Sequence, residues 1–413
     1  MVELMCPAGD MKSLQAAIKA GADSVYFGVG DLNMRARAAK FSNEDLKKIV
    51  KICKSNDVKS YLTLNTVMYD EEIEDMKKIC DRVKKLGVSA IIASDISVIK
   101  YANSIDLEVH MSTQANISNY EAVKFYSKFA DVIVLARELS LNQIKNITDK
   151  IKENNLCGPN GNLIQIEVFV HGALCVAISG KCYMSLAQYN ESANRGKCLQ
   201  SCRRKYKVYD DETGKELKIE NNYVMSPSDL CTIGMIDKLI ESGVNVFKIE
   251  GRARGPNYVH TVVSTYKKAI NSYFNKNYSK SKIKKWKKDL RSVFNRGFWE
   301  NGYYQGKKLG EWSGEYGSKA TTKKVQLGKV LNYFKKPKIA YIEIYSNEVS
   351  IGDKLFVTGN KTGSVYQKVE SIYNNDEKPI KKANKGTKVT IPINETVRKN
   401  DEVYKIIKKE WLF

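Results

Sequence analysis

The chain reads as an α/β protein: a TIM-like (β/α)8 barrel with an insertion before its last strand, followed by a small C-terminal β-barrel domain. Three observations predict this. Up to Glu250, a short run rich in Val and Ile, a few Gly, Asn or Ser residues and a segment of helical periodicity recur about eight times, the number of strands that closes such a barrel. The interval between the seventh and eighth runs is far longer than one helix needs. Beyond about Val325 the rhythm changes to short alternating strands separated by Gly, Asn and Asp.

The runs are residues 2–7, 24–29, 59–65, 90–95, 107–113, 131–137, 164–170 and 244–250. Amphipathic segments fit between them. Residues 11–20 put Leu14, Ala17 and Ile18 on one helix face, and Gly21 follows as a stop. After Arg254 come a helix over 258–273, a Lys-rich helix carrying Trp286 and Phe294, and a turn-rich stretch over 297–317. The predicted division is 1–320 for the barrel, its insertion and trailing helices, and 325–413 for the β domain. The strands of that domain are expected at 326–331, 339–344, 354–357, 365–372, 388–393 and 402–406. Its Lys335, Lys336, Lys338, Lys381, Lys382, Lys385 and Lys388, near Tyr333, Phe334 and Tyr373, read either as a nucleic-acid platform or as a solvated surface.

With 413 residues the chain exceeds one ordinary core, and 43% hydrophobic residues is a globular balance. No stretch approaches the roughly 20 apolar residues of a membrane span. Met1-Val2-Glu3-Leu4 enters an apolar strand without the features of a signal peptide, so a soluble cytoplasmic protein is expected. In a reducing compartment the nine cysteines are expected to serve chemistry rather than disulfides. The net charge of +22 fits a polyanionic partner, and it equally fits a lysine-rich solvated surface.

In such barrels the active site forms on the loops after the strands, so polar residues at strand ends are the candidates. Lys248, Glu250 and Arg252 alternate around the end of the eighth run, which sends all three towards one face. Such charges are costly unless paired or solvated, so an anion or substrate site is expected there. Arg137 can join Arg252 in gripping a dicarboxylate, or pair with Glu138 or Glu167. His110 ends the fifth run and either points into the mouth or is a satisfied structural histidine. Arg195 and Arg203 are RNA contacts or charges that stabilise neighbouring thiolates. Asn65 and Asp95 are strand-end polar residues without an assigned role, and Cys6, Cys53 and Cys80 read as packed thiols.

The insertion holds the chemically richest segment, with Cys175, Cys182, Cys198 and Cys202 followed by Cys231. The first two thiols are too far apart for a zinc knuckle, whereas an iron–sulfur cluster takes thiolates from wherever the fold delivers them. An all-cysteine zinc site and plain buried thiols remain alternatives.

Glu167 through Ser185, with Cys6-Pro7-Ala8-Gly9, the segments 226–231 and 248–252, and Phe294-Asn295-Arg296-Gly297-Phe298, resembles the collagenase-like peptidase family of unestablished catalytic type. The resemblance covers most of the chain, and the C-terminal region looks like that of members that hydroxylate tRNA. It implies an oxygen-sensitive [4Fe-4S] cluster on Cys175, Cys182, Cys198 and Cys231, with Cys202 as an alternative ligand. It further implies oxygen-independent conversion of wobble uridine in tRNA to 5-hydroxyuridine, with prephenate as hydroxyl source; other branches modify ribosomal RNA or a quinone precursor. Glu250, Arg252 and His110 are then the catalytic candidates, and Arg137, Lys248, Arg195 and Arg203 the substrate-binding ones. A peptidase remains the alternative, although the chain has no H-E-x-x-H, no G-x-S-x-G and three histidines in all.

Overall fold

The computed structural model describes residues 2–38, 40–178, 180–217, 223, 225–306, 312–314 and 317–409. Its first part is a closed parallel barrel of β1 (Glu3–Pro7), β2 (Ser24–Phe27), β3 (Lys59–Leu64), β4 (Ala90–Ala93), β5 (Val109–Met111), β6 (Val132–Val134), β7 (Gln165–Gly172) and β8 (Val246–Ile249). Each strand pairs with the next, and β8 pairs with both β7 and β1: Val246 stands opposite Glu167 on one side and Glu3 on the other. The strands are short apolar runs because both their faces are covered. Every residue of β2, β4 and β8 is buried. Met5, Tyr61, Ala90, Ile92, Val132 and Val246 pack together as a separate cluster.

The helices between strands begin and end where local chemistry directs. The Asp10 carboxylate accepts from the Ser13 N–H at 2.8 Å and starts the helix Met11–Lys19, which buries Leu14, Ala16 and Ala17. Ser140 and Gln143 form a capping box before Leu141–Glu153. Strands β5 and β6 are shorter than their apolar runs, because Ser112, Thr113 and Arg137 leave the ladder for the loops that follow.

After β7 the insertion carries the thiols on loops and short helical turns, then a small hairpin, Val208–Tyr209 with Glu216–Leu217. It returns as Asp229–Cys231, antiparallel to β7, with Cys231 opposite His171. Phe298–Glu300 adds parallel to that strand. The sequence pattern reveals neither three-residue strand, since such pieces carry no period; the buried indole of Trp299 and the bond from Asn301 N–H to the Cys231 carbonyl at 2.9 Å hold the second. Between them run the expected helices, Pro256–Phe274 and Lys280–Ser292.

The C-terminal region is antiparallel. Its larger sheet runs in the order Gly363–Lys368, Lys354–Gly359, Glu402–Lys408, Thr322–Phe334, Ile339–Ile344, Lys388–Pro392, Ile372–Tyr373, Pro379–Ile380, and Val349–Ser350 pairs separately with Lys382–Ala383. Leu327, Val330, Ile342, Leu355, Val357 and Ile391 fill a core distinct from that of the barrel. The unit docks on the helices Met11–Lys19 and Pro256–Phe274, through Lys12–Glu402 at 2.6 Å, Lys19–Glu395 at 3.1 Å and the bond from Ser364 Oγ to the Pro256 carbonyl at 3.2 Å. The helix Met11–Lys19 leads back from the end of β1, so Lys12 marks the mouth of the barrel and Lys19 the opposite end. Ile393 N–H bonds the Lys338 carbonyl at 2.8 Å, two residues from the Glu395 that pairs with Lys19. Lys382 is paired with Glu348 at 2.7 Å. No helix among the described residues is long and apolar enough to cross a membrane.

Candidate active site at the barrel mouth

A cavity of about 270 Å³ opens where the strands end. Its wall takes Thr63 and Asn65 from the end of β3 and its loop, Ser112 to Gln114 after β5, Arg137 after β6, Ala173 to Cys175 after β7 and Glu250 to Arg254 after β8. The loop after β2 contributes Met34, Arg35 and Arg37, and the insertion covers the top.

Charge in this wall is unbalanced. Among the described residues, seven arginines (Arg35, Arg37, Arg137, Arg203, Arg252, Arg254 and Arg296) and Lys248 line it, against one lining carboxylate, Glu250; Arg296 also pairs with Asp229 at 3.5 Å and Lys248 with Glu167 behind the wall. Arg35 meets Glu250 at 3.2 Å, and the Tyr26 hydroxyl donates to the other Glu250 oxygen at 3.2 Å. Burial opposes the charge on Glu250, but the guanidiniums of Arg35, Arg137 and Arg252 more than offset it and hold the carboxyl down to about 2. Glu250 is therefore an ionised anchor and a weak proton acceptor. Arg252 donates to Asn33 Oδ1 at 3.0 Å and to Thr63 Oγ1 at 2.6 Å; burial lowers its pKa to about 10, where it stays charged at neutral pH. Arg137 lies 3.8 Å over the Phe169 ring and donates to the Ala173 carbonyl at 3.0 Å. The Nε atoms of Arg137 and Arg252 are buried without an acceptor. Buried N–H groups are almost always satisfied, so two orphans in one cationic cavity fit an anionic ligand.

The thiols of Cys175, Cys182, Cys198 and Cys202 face the same cavity. Burial raises the Cys202 thiol and Arg203 lowers it, while the other three cysteines act on it electrostatically. Arg203 is fixed by the Ser226 hydroxyl at 3.2 Å and by the carbonyls of Pro227, at 2.9 Å, and Leu174. Among the described residues no three Cys, His, Asp or Glu side chains are grouped to hold a single metal ion. Four thiols around one space suit a cluster better, because its own iron and sulfide atoms stand between the thiolates. Cys231 is not among the residues that line the cavity. It is buried opposite His171 near the end of β7, its thiol pushed up to about 11 by burial, beside Tyr266, Glu300 and Lys287.

Three other candidates have partners of their own. Lys248 reaches the wall but pairs with Glu167 at 2.7 Å in a buried bond, so the partner proposed for Arg137 is already occupied. Arg195 is held by Glu72 and the Val67 carbonyl and lies outside the cavity wall. His110 does not reach the mouth: its Nε2 is 3.1 Å from Glu108, its ring packs 4.5 Å from Tyr61, and it is buried within the barrel. Asn65 acquires a place, bonding Gln114 at 2.8 Å in the wall, while Asp95 caps the helix Ile96–Ser104. Cys6, Cys53 and Cys80 are buried.

The sequence reading passed over Asn33 and Arg35. Asn33 receives Arg252, and its carbonyl would lie 2.1 Å from a Cβ on Gly196, whose φ is +76°. Glycine there lets the cysteine-bearing insertion close on the loop after β2. The signal was available, since this loop directly follows a barrel strand.

Comparison with known proteins adds to this geometry. The model of peptidase family U32 matches residues 9–314. A protein named collagenase from Porphyromonas gingivalis strain W83 is 54% identical over 99% of this chain and 98% of its own length. The tRNA hydroxylation protein P1 of Bacillus subtilis is 35% identical over 66% of this chain and 63% of its own length. The 23S rRNA 5-hydroxycytidine C2501 synthase of Escherichia coli is 36% identical over 66% of this chain and 39% of its own. On a match that spans the barrel and its cysteine insertion, the chain belongs to peptidase family U32.

Proposed function

We propose that this protein is a cytoplasmic RNA hydroxylase that converts wobble uridine in tRNA to 5-hydroxyuridine without dioxygen. The observation that carries the reading is the meeting of four thiols and a surplus of guanidiniums in one cavity at the barrel mouth. Relatives named for tRNA and ribosomal RNA hydroxylation support it. Cys175, Cys182, Cys198 and Cys202 would hold a [4Fe-4S] cluster, with Cys202 replacing Cys231 in the set because it faces the others. When bound, the cluster supplies one-electron chemistry.

The chain's own residues bind and orient. Arg137 and Arg252, with their free Nε–H groups, grip a dicarboxylate, for which prephenate is the proposed hydroxyl source. Glu250 holds Arg35 and Tyr26 in place and keeps the arginine group from repelling itself open.

A peptidase is the second reading, favoured by the collagenase-named relative. Its weakness is the lack of a base. The cavity wall contains no histidine among the described residues; His110 and His171 are buried, and His260 packs on Tyr366. Comparing tRNA and ribosomal RNA nucleosides from cells with and without the gene decides between them, alongside iron and labile sulfide in anaerobically purified protein and gelatin cleavage. Unaltered nucleosides with gelatin cleavage would reject the hydroxylase.

A further inference from the structure

The hydroxylase reading leaves open which surface receives the RNA, and none of the lysines of the turn at Lys335 to Lys338 lines the cavity. The rim of the cavity has a different character. Tyr183, beside the cavity-lining Cys182, is 72% exposed. Tyr189, at the end of the short helix Met184–Tyr189, is 43% exposed; the guanidinium of Arg204 lies 4.9 Å from its ring centre and bonds its hydroxyl. Tyr69, 50% exposed on the loop after β3, carries Arg195 at 4.3 Å over its ring. The backbone joins these parts: Val67 N–H bonds the Asn194 carbonyl. Arg204 follows the cavity-lining Arg203, and Arg195 precedes the cavity-lining Gly196.

Three exposed tyrosines stand beside one cavity, and the two capped by guanidiniums, Tyr69 and Tyr189, are unsuited to packing against an apolar partner. They suit unpaired nucleobases, which stack on aromatic and guanidinium planes while nearby cations attract the backbone. Exposed Lys181 and Lys197 supply that charge within one or two residues of the thiols. We propose that Tyr183, Tyr189 and Tyr69, with Arg204 and Arg195, form a stacking rim that receives the unpaired bases of an RNA loop and presents one of them to the cavity. The proposal rests on the hydroxylase reading for the identity of its ligand. On this view Arg195 is a positioning residue, held by Glu72 so that it caps Tyr69, and the rim reads loop structure rather than sequence.

The test uses the full-length protein, a synthetic tRNA anticodon stem-loop and a fully paired duplex of equal charge. Tyr183→Ala and Tyr189→Ala should each weaken stem-loop binding about tenfold, with duplex binding unchanged, as loss of one base stack predicts. Tyr189→Phe keeps the ring and should keep the affinity. Unfolding midpoints of the variants confirm that they are folded. Unchanged stem-loop affinity in the double variant would overturn the proposal, and so would equal losses for stem-loop and duplex. If a Pro- and Gly-rich peptide, but not the RNA, loses binding in the double variant, the rim belongs to a polypeptide and the proposal falls. The hydroxylase reading fails separately. Normal 5-hydroxyuridine in cells carrying the double variant removes the rim and leaves the enzyme standing, whereas ring-dependent stem-loop binding without any missing nucleoside in gene-deleted cells leaves the rim and removes the hydroxylation.

Discussion

The mouth of the barrel and the layer just beneath it are built from the same kinds of residues in opposite balance. Beneath, each charged group has a partner, Lys248 with Glu167 and His110 Nε2 with Glu108, although one Glu167 oxygen and His110 Nδ1 are left without a bond. Cys231, opposite His171 on the strand added to β7, is buried as well, its thiol raised by that burial. At the mouth, Arg137, Arg203, Arg252 and Arg254 make no carboxylate pair within 4 Å among the described residues, and four thiols share one space. Lys248, within β8, and Glu250, just past its end, are two positions apart in the chain. The difference teaches that a residue's chemistry is set by how completely its neighbours satisfy it. Paired charges hold the barrel together, and the guanidiniums without a carboxylate at the mouth fit an anionic ligand.

The comparison breaks most clearly at the thiols. Cys202→Ser should empty the cluster site and abolish 5-hydroxyuridine, as should Cys182→Ala, whereas Cys231→Ser should retain about four iron atoms per chain. Iron analysis and the visible spectrum of anaerobic protein check this; an iron-free Cys231→Ser protein beside an iron-replete Cys202→Ser protein reverses the assignment.

In the matched layer the expected loss is of stability. Lys248→Met leaves the Glu167 carboxylate buried without its cation, and urea unfolding should show a loss of about 3–5 kcal/mol. A loss within the scatter of surface substitutions would mean that water reaches Glu167.

At the mouth the expected loss is of binding. Arg252→Gln or Arg137→Gln should raise the KM for the carboxylate co-substrate by about 10- to 100-fold, the worth of a charged hydrogen bond. Stability should change far less than in Lys248→Met. A change in kcat alone would assign these arginines to the chemical step.

Acid should act first on the buried layer. Burial lowers His171 from 6.5 to about 3, so the folded state holds it neutral while the unfolded chain takes a proton. The stability this represents is complete above 6.5 and declines as pH falls from 6.5 towards 3. At pH 5 the decline is about 2 kcal/mol. His171→Gln should flatten that slope in denaturant titrations between pH 7 and 5; an unchanged slope would place the acid sensitivity elsewhere. The smallest effect belongs to His110→Gln. Nucleoside levels should be unaltered, and their loss would return His110 to the catalytic set.

Much of the fold was legible because covered barrel strands must be apolar and must recur with a helix between them. All eight were found, but boundaries moved where polar residues such as Ser112 and Arg137 left the ladder. The short strands Asp229–Cys231 and Phe298–Glu300 were not legible. The site was legible in part, since Glu250, Arg252 and Arg137 follow barrel strands and line the cavity. Asn33 and Arg35 lie on an irregular loop whose approach to Arg252 and Glu250 spans more than two hundred residues.

By itself the sequence determined the barrel, the cysteine-bearing insertion and the residue types at the mouth, because periodicity and strand-end position are local properties of a chain. Only the tertiary structure decided that Lys248 is spent on Glu167, that Cys202 lines one cavity with Cys175, Cys182 and Cys198, and that Arg195 caps Tyr69. Those outcomes depend on which charges and thiols meet across closed strands and a folded insertion, and no local pattern records such distances.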